Sequence, residues 1–139
     1  GNSMAFALAG EMLESIEKDK EARADNSRWY SDNLKGYQLA GIRLVRDYPY
    51  LRYPLLMNDV DLRNVILERL MAKGTGATSS YPNPLNELPK LSEVLADGRE
   101  YKNAKKISAS IVTLPVHSGV TESDRENIMR VIRQVSHEN

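Results

Sequence analysis

The sequence contains no cysteine, which excludes disulfide bonds, thiolate metal ligands and cysteine nucleophiles. Charge of neither sign is in excess, because 19 Lys and Arg balance 19 Asp and Glu. A neutral chain has no strong field to attract nucleic acid or an anionic membrane. No apolar run approaches the roughly 20 residues that cross a bilayer. These absences predict neither a nucleic-acid nor a membrane partner, and they fit a cytoplasmic location.

Patterns that carry catalysis are also scarce. The two histidines, His117 and His137, have no neighbouring carboxylates at a metal-binding spacing. No serine lies in the Gly-x-Ser-x-Gly pattern of a hydrolase. The glycines of Lys73-Gly74-Thr75-Gly76 follow a predicted helix instead of opening one, so a helix end explains them better than a phosphate loop. The sequence therefore predicts no catalytic, cofactor-binding or metal-binding residue within the chain.

What is present is the composition of one compact globular domain: 139 residues, 41% of them hydrophobic and 27% charged. The first segment predicts a single long helix, from about residue 3 to residue 34, of about 48 Å. A domain of this size is only about 37 Å across. Either the helix breaks near residues 18–25, or it needs a surface that this chain does not contain.

The apolar residues of that helix recur at three- and four-residue spacing; they include Leu8, Met12 and Ile16. If they have no partner, we expect self-association, domain swapping or a displaced first helix. Lys35-Gly36 ends the helix, so the chain divides into a linking helix (1–36) and a second unit (37–139).

The second unit alternates strands and helices. Strands are predicted over 51–57, 76–81 and 110–114, and helices over 58–73, 88–95 and 122–135. Asn58 is a predicted N-cap, Gly74 a C-terminal stop, and Thr121 with Asp124 a capping box. The fold class is therefore α/β, as a small α+β sandwich. Its sheet has about three strands, mostly antiparallel or mixed, with helices packed mainly on one face.

Four stretches, taken in order, resemble one family. They are Arg23-x-x-Asn26-x-x-x-Tyr30-x-x-x-Leu34, the 50–56 strand with the later 74–77 turn, Tyr81-Pro-x-Pro-Leu-Asn86, and Leu114-Pro-Val-His117 followed by Thr121-x-x-Asp124. Together they are similar to the C-terminal small domain of DegT/StrS-type, fold-type-I aminotransferases. The match covers nearly the whole chain but only about a third of such an enzyme.

The resemblance implies an enzyme that uses pyridoxal phosphate (PLP) to move an amino group onto a nucleotide-linked keto-sugar. The lysine that holds PLP would belong to a large domain preceding this chain. The chain alone is therefore expected to be inactive and to bind no cofactor. The implied partners are the large domain, a second subunit in a homodimer and the nucleotide-sugar substrate.

The small domain of such an enzyme forms one wall of the substrate cleft, and four residues are candidates for that wall: Arg52, Tyr81, Asn86 and His117. Asn86 stands where the family more often has histidine. Arg52 in a surface salt bridge and His117 as an ordinary loop residue remain open alternatives. A stand-alone, non-catalytic binding or regulatory module derived from this domain is the second interpretation, and an unrelated small α/β domain is the third.

Overall fold

The computed structural model describes residues 2–40, 42, 44–80 and 108–138. Its elements, in chain order, are α1 (Asn2–Asn33), β1 (Tyr53–Leu56), α2 (Val60–Ala72), β2 (Ile111–Leu114) and α3 (Glu122–Glu138). The mixed α/β class and the long first helix are confirmed. The predicted helix over 88–95 lies outside the described residues. Within the described part, no helix is both long enough and apolar enough to span a membrane.

Helix α1 runs unbroken for 32 residues, so the first of the two alternatives, a break near residues 18–25, does not occur. Its two halves have opposite environments. The side chains of residues 5–18 are exposed, and the large apolar ones among them, Phe6, Leu8, Met12, Leu13 and Ile16, are 56–81% exposed. The second half packs on the domain through buried residues such as Asn26 and Tyr30, and Leu34, directly after the helix, is buried too. The first half therefore extends beyond the rest of the described domain.

The sheet has two antiparallel strands, with Tyr53 opposite Leu114 and Leu56 opposite Ile111. The prediction of a third strand over 76–81 is wrong for its described residues, because only Thr78 pairs, in a single bridge to Thr113. Gly76 has a φ of +85°, which a regular strand does not allow. The Thr78 hydroxyl also bonds to the backbone of Ser80, and such local bonds compete with a ladder.

The two faces of the sheet have different cover. Tyr53, Leu55, Val112 and Leu114 join a core cluster with residues of all three helices, including Tyr30, Leu70 and Val131. Leu56 and Ile111 lie on the opposite face, where Leu39 and Ile42 pack against them. Because side chains alternate along a strand, Pro54 and Thr113 belong to this second face. The helices therefore meet on one face, and the 35–50 segment covers part of the other.

The helix ends follow the sequence signals with one exception. Thr121 and Asp124 form the predicted capping box, since each backbone N–H donates to the other's side chain. The Thr121 amide holds the pKa of Asp124 below its usual value. Gly74 follows the C-cap of α2 with a φ of +67°. The predicted N-cap Asn58 is wrong, because the adjacent Asp59 accepts from the Leu62 amide instead.

Candidate functional site

A seam of buried hydrogen bonds joins α1 to the segment that follows β2. The Asn26 side-chain amide donates to the Val116 carbonyl at 2.8 Å, and the Tyr30 hydroxyl donates to the Pro115 carbonyl at 3.0 Å. Asn26 is 5% exposed and Tyr30 is fully buried. Burial raises the pKa of the Tyr30 phenol well above its ordinary value. Because buried carbonyls need partners, these two side chains fix the course of 115–117 relative to α1.

Arg125 extends the seam into α3. Its Nη1 donates to the Asn26 side-chain oxygen at 3.0 Å, and its guanidinium carbon lies 5.1 Å from the centre of the Trp29 ring. Both contacts are attractive, the second because an aromatic face carries negative charge density. Asn26 thus donates to one element and accepts from another, which orients its amide. An asparagine is well suited to this position because it offers both a donor and an acceptor.

At the point where α1 leaves the domain, Asp19 and Arg23 form a second polar group. One oxygen of Asp19 accepts from the Ser118 amide at 3.1 Å, and the other accepts from Arg23 Nε at 3.0 Å. Arg23 Nη1 also donates to the Pro49 carbonyl at 2.7 Å. The Ser118 amide, with help from Arg23, lowers the pKa of the Asp19 carboxyl. Asp19 and Arg23 thus join α1 to the loop before β1 and to the turn after β2.

His117 lies in the tight turn after β2 and is exposed. Its Nδ1 accepts from the Gly119 amide at 3.1 Å, and its carbonyl accepts from the Val120 amide. A Cβ added to Gly119 would lie 3.0 Å from the His117 ring, so a side chain there would crowd the ring. The turn therefore sets the ring orientation and leaves Nε2 as the nitrogen that can act on a ligand.

Arg52 precedes β1 on the second face of the sheet. Its Nε donates to the Thr113 hydroxyl at 2.7 Å, and its Nη2 donates to the carbonyls of Thr113 and Gly76. The Thr113 hydroxyl also lies 2.7 Å from that of Thr78. Arg52 thereby joins β1, β2 and the segment leading to residue 80 through neutral groups.

The four predicted cleft residues divide into two groups. Arg52 and His117 lie at the same end of the sheet, because the start of β1 is paired with the end of β2. Tyr81 and Asn86 lie outside the described residues. A cavity of about 530 Å³ between α1 and the 35–46 segment is lined by Ser31, Gln38, Tyr53 and others, and it includes neither Arg52 nor His117. Across the described residues, no group of histidine and carboxylate side chains could hold a metal ion.

Sequence reasoning missed the connecting roles of Asp19 and Arg125. Asp19 and Arg23 are four residues apart, which signals an ion pair along a helix, but nothing local predicts the long-range bond to Ser118. Arg125 follows the capping box and looks like an ordinary exposed helix cation. Arg63 was also missed: it is 9% exposed, donates to the Ile111 carbonyl at 2.9 Å, and burial lowers its pKa.

The chain is similar to known proteins in both sequence family and fold. Residues 2–133 match the DegT/DnrJ/EryC1/StrS aminotransferase family, whereas no curated protein sequence matches the chain. Among solved structures, the fold is similar to PseC of Helicobacter pylori, an aminotransferase involved in the biosynthesis of pseudoaminic acid. The TM-score is 0.66 at 20% identity, over 96% of this chain and 37% of that one.

A DegT/DnrJ/EryC1/StrS aminotransferase from Brucella abortus is similarly close, with a TM-score of 0.63 at 22% identity over 89% of this chain. The putative sugar aminotransferase Spr1654 of Streptococcus pneumoniae gives 0.63 at 20% over 91%. This chain covers 33% of each of those two, so it spans about a third of the length of the structures it matches. The chain therefore belongs to the DegT/DnrJ/EryC1/StrS aminotransferase family and represents one part of such a protein.

Proposed function

We propose that this chain is the small domain of a PLP-dependent aminotransferase that acts on nucleotide-linked keto-sugars. The observation that carries the proposal is the family match over residues 2–133. It is supported by the seam, where the motif residues Asn26 and Tyr30 of α1 bind the carbonyls of the Leu-Pro-Val-His motif. Two stretches that resemble the family in sequence thus contact each other in space, as parts of one inherited structure do.

The partner in this proposal is the large domain of the same enzyme, which covers the exposed apolar residues of α1. Their exposure, 66% for Met12 and 56% for Ile16, is costly in water, because burying one such side chain contributes about 1.5–3 kcal/mol. The complete enzyme is proposed to be a cytoplasmic homodimer, as the family resemblance implies.

The described residues do not by themselves fit PLP. A Schiff base needs a lysine amine held in an enclosed site, and the described lysines, Lys18, Lys20, Lys35 and Lys73, are all exposed on a helix surface or a turn. No step through PLP is therefore assigned to these residues. When bound in the complete enzyme, PLP supplies the electron sink for amino transfer.

What this chain contributes is one wall of the substrate cleft, with Arg52, Tyr81, Asn86 and His117 as its proposed polar residues. Arg52 is suited to a phosphate of the nucleotide because Thr113 and Gly76 orient its guanidinium, whose planar set of N–H donors matches phosphate oxygens. His117 offers a ring whose direction is set by the Gly119 amide. Both belong to the end of the sheet from which α1 extends.

The test is made on the protein encoded by the complete reading frame. With PLP, glutamate and a nucleotide-linked keto-sugar, we expect amino transfer, and borohydride should trap PLP on a lysine that precedes Gly1. Peptide mapping of the reduced protein locates that lysine. A PLP adduct at one specific lysine within residues 1–139 would overturn the assignment of this chain as a small domain without the catalytic lysine.

The alternative function is a stand-alone binding or regulatory module that kept this fold without catalysis. The continuous seam favours a folded unit in either case. The two differ in the reading frame, because translation from Met4 would favour the module and an upstream coding region for a large domain would favour the enzyme. Binding of a nucleotide-sugar to the isolated chain, measured by calorimetry, would support the module.

A further inference from the structure

Thr113 carries the one polar side chain of strand β2, and it is fully buried. The strand itself needs only a β-branched residue here, and valine has nearly the shape of threonine. Burying a hydroxyl costs free energy that valine would not cost, unless the hydroxyl makes hydrogen bonds. The bonds of the Thr113 hydroxyl therefore show what this residue contributes beyond forming the strand.

The hydroxyl lies between Arg52 and Ser80. Its oxygen accepts from Arg52 Nε at 2.7 Å, and it lies 2.7 Å from the Thr78 hydroxyl and 3.1 Å from the Ser80 carbonyl. The Thr78 hydroxyl also bonds to the Ser80 carbonyl. Each hydroxyl has one proton to donate, and Arg52 can only donate. The bonds therefore run from the guanidinium to the Ser80 carbonyl, either directly from Thr113 or through Thr78.

Thr113 binds one edge of the guanidinium at two points. Its hydroxyl accepts from Nε, and its backbone carbonyl accepts from Nη2 at 3.2 Å. Two parallel contacts fix the plane of a guanidinium as well as its position. Only the hydroxyl contact depends on the side chain, so a substitution can remove it while the carbonyl contact stays available.

From this arrangement, and resting on the proposed function, we infer that Thr113 is a positioning residue that orients Arg52 for the nucleotide-sugar. An arginine side chain has many rotamers, and ordering it only when the substrate binds lowers affinity. The Thr113 hydroxyl orders Arg52 in advance, and its bond to Ser80 fixes the hydroxyl in turn. Thr113 acts through Arg52 and needs no contact of its own with the substrate.

The test measures amino transfer by the complete enzyme carrying Thr113→Val, which removes the hydroxyl and keeps the side-chain shape. We expect the KM for the nucleotide-linked keto-sugar to rise about tenfold, because a hydrogen bond to a charged group is lost. The kcat and the kcat/KM for glutamate should not change, since only binding of the sugar substrate is affected. Thr113→Ser restores the hydroxyl and should restore the KM.

Thr78→Val is the matched control. It removes the other hydroxyl that bonds to Ser80 and leaves the acceptor of Arg52 Nε in place, so the KM should rise clearly less than in Thr113→Val. Circular dichroism checks that each variant is folded. If Thr113→Val does not fold, Thr113→Ala takes its place, because it removes the same hydroxyl without adding a methyl group beside the guanidinium.

A double variant separates positioning from a structural role. In an Arg52→Ala enzyme, which should itself have a raised KM, adding Thr113→Val should raise the KM no further. An equal rise with and without Arg52 would overturn the inference. An unchanged KM in Thr113→Val, or in Arg52→Ala, would also overturn it while leaving the small-domain assignment intact. A wild-type enzyme that transfers no amino group would overturn the proposed function, and the inference with it.

Discussion

The two halves of α1 have the same backbone conformation and opposite surroundings. In the second half, Asn26 and Tyr30 are buried, whereas in the first half Met12 and Ile16 are exposed, although each lies fourteen residues before one of them and so on nearly the same line along the helix. Most helical stability in proteins comes from tertiary packing, which the second half has, whereas among the described residues only local bonds stabilise the first half. Helix α1 therefore carries more apolar surface than the described domain covers.

The largest expected effect comes from removing a ring in the docked half. Tyr30→Ala should lower the free energy of unfolding by about 3 kcal/mol or more, because it leaves a cavity and an unpaired Pro115 carbonyl. Met12→Ala is the matched control in the exposed half and should change it by less than about 0.5 kcal/mol. Urea unfolding followed by circular dichroism measures both. Equal effects would remove the distinction between the halves.

A smaller effect is expected at the seam. Asn26→Ala removes the donor to Val116 and the acceptor for Arg125, and leaving buried groups unpaired costs about 1–3 kcal/mol. Asn33→Ala is the control, since Asn33 lies on the same helix and, among the described residues, its side chain bonds within its own turn, to the Trp29 carbonyl. Urea unfolding of both variants gives the difference. If Asn26→Ala cost no more than Asn33→Ala, the seam would not stabilise the fold.

In the exposed half, charge should affect association more than folding. Met12→Glu places a carboxylate among the exposed apolar side chains of the first half of α1. It should weaken self-association of the chain at least about tenfold, which corresponds to about 1.4 kcal/mol. Glu11→Gln is the control, because Glu11 is exposed beside Met12 and its change adds no charge to the exposed apolar side chains. Sedimentation equilibrium gives the association constants. Tight association of Met12→Glu would show that the exposed apolar side chains of α1 do not form the contact between associated chains.

The smallest effect is expected at the point where the two halves join. The Ser118 amide lowers the pKa of Asp19 in the folded protein. The bond of the Asp19 carboxylate therefore stabilises the fold fully at a pH above the unfolded pKa of 3.8. That contribution is lost as the pH falls through the lower pKa of the folded state. The side chain is 40% exposed, so solvent screening limits its contribution to less than about 1 kcal/mol.

Asp19→Ala should therefore lower stability slightly at pH 7, and the difference from the wild type should shrink as the pH falls below 3.8 toward the lowered pKa of the folded state. Asp25→Ala is its control on the same helix, because Asp25 pairs only with the exposed Arg28 at 3.2 Å among the described contacts. Thermal unfolding across this pH range measures both variants. A larger loss for Asp25→Ala than for Asp19→Ala would contradict the bond to Ser118 as a stabilising contact.

Much of the fold could be predicted because its signals are local. The apolar spacing of α3 and the Thr121–Asp124 capping box specify that helix, and Gly74 marks the end of α2. The strand prediction over 76–81 relied on the β-forming composition of these residues. It is wrong for the described ones because the positive φ of Gly76 and the hydroxyl bonds of Thr78 depend on tertiary context. Periodicity does not report such conformations.

The site could be predicted only in part, for a related reason. The motif Arg23-x-x-Asn26-x-x-x-Tyr30 was recognised as a pattern, but its physical role is a set of bonds across about 90 residues of sequence. Arg52 was expected near a cleft or in a salt bridge, and neither expectation signals its bonds to Thr113 and Gly76. Its role toward substrate, like those of Tyr81, Asn86 and His117, stays a prediction.

The most direct test of the contrast within α1 is residue-resolved amide hydrogen exchange on the isolated, monomeric chain. We predict strong protection over residues 26–33, where α1 is docked, and weak protection over 6–16, where only helical hydrogen bonds oppose opening. Uniformly strong protection from residue 6 to residue 33 would mean that the first half has its cover within this chain, and it would contradict the account.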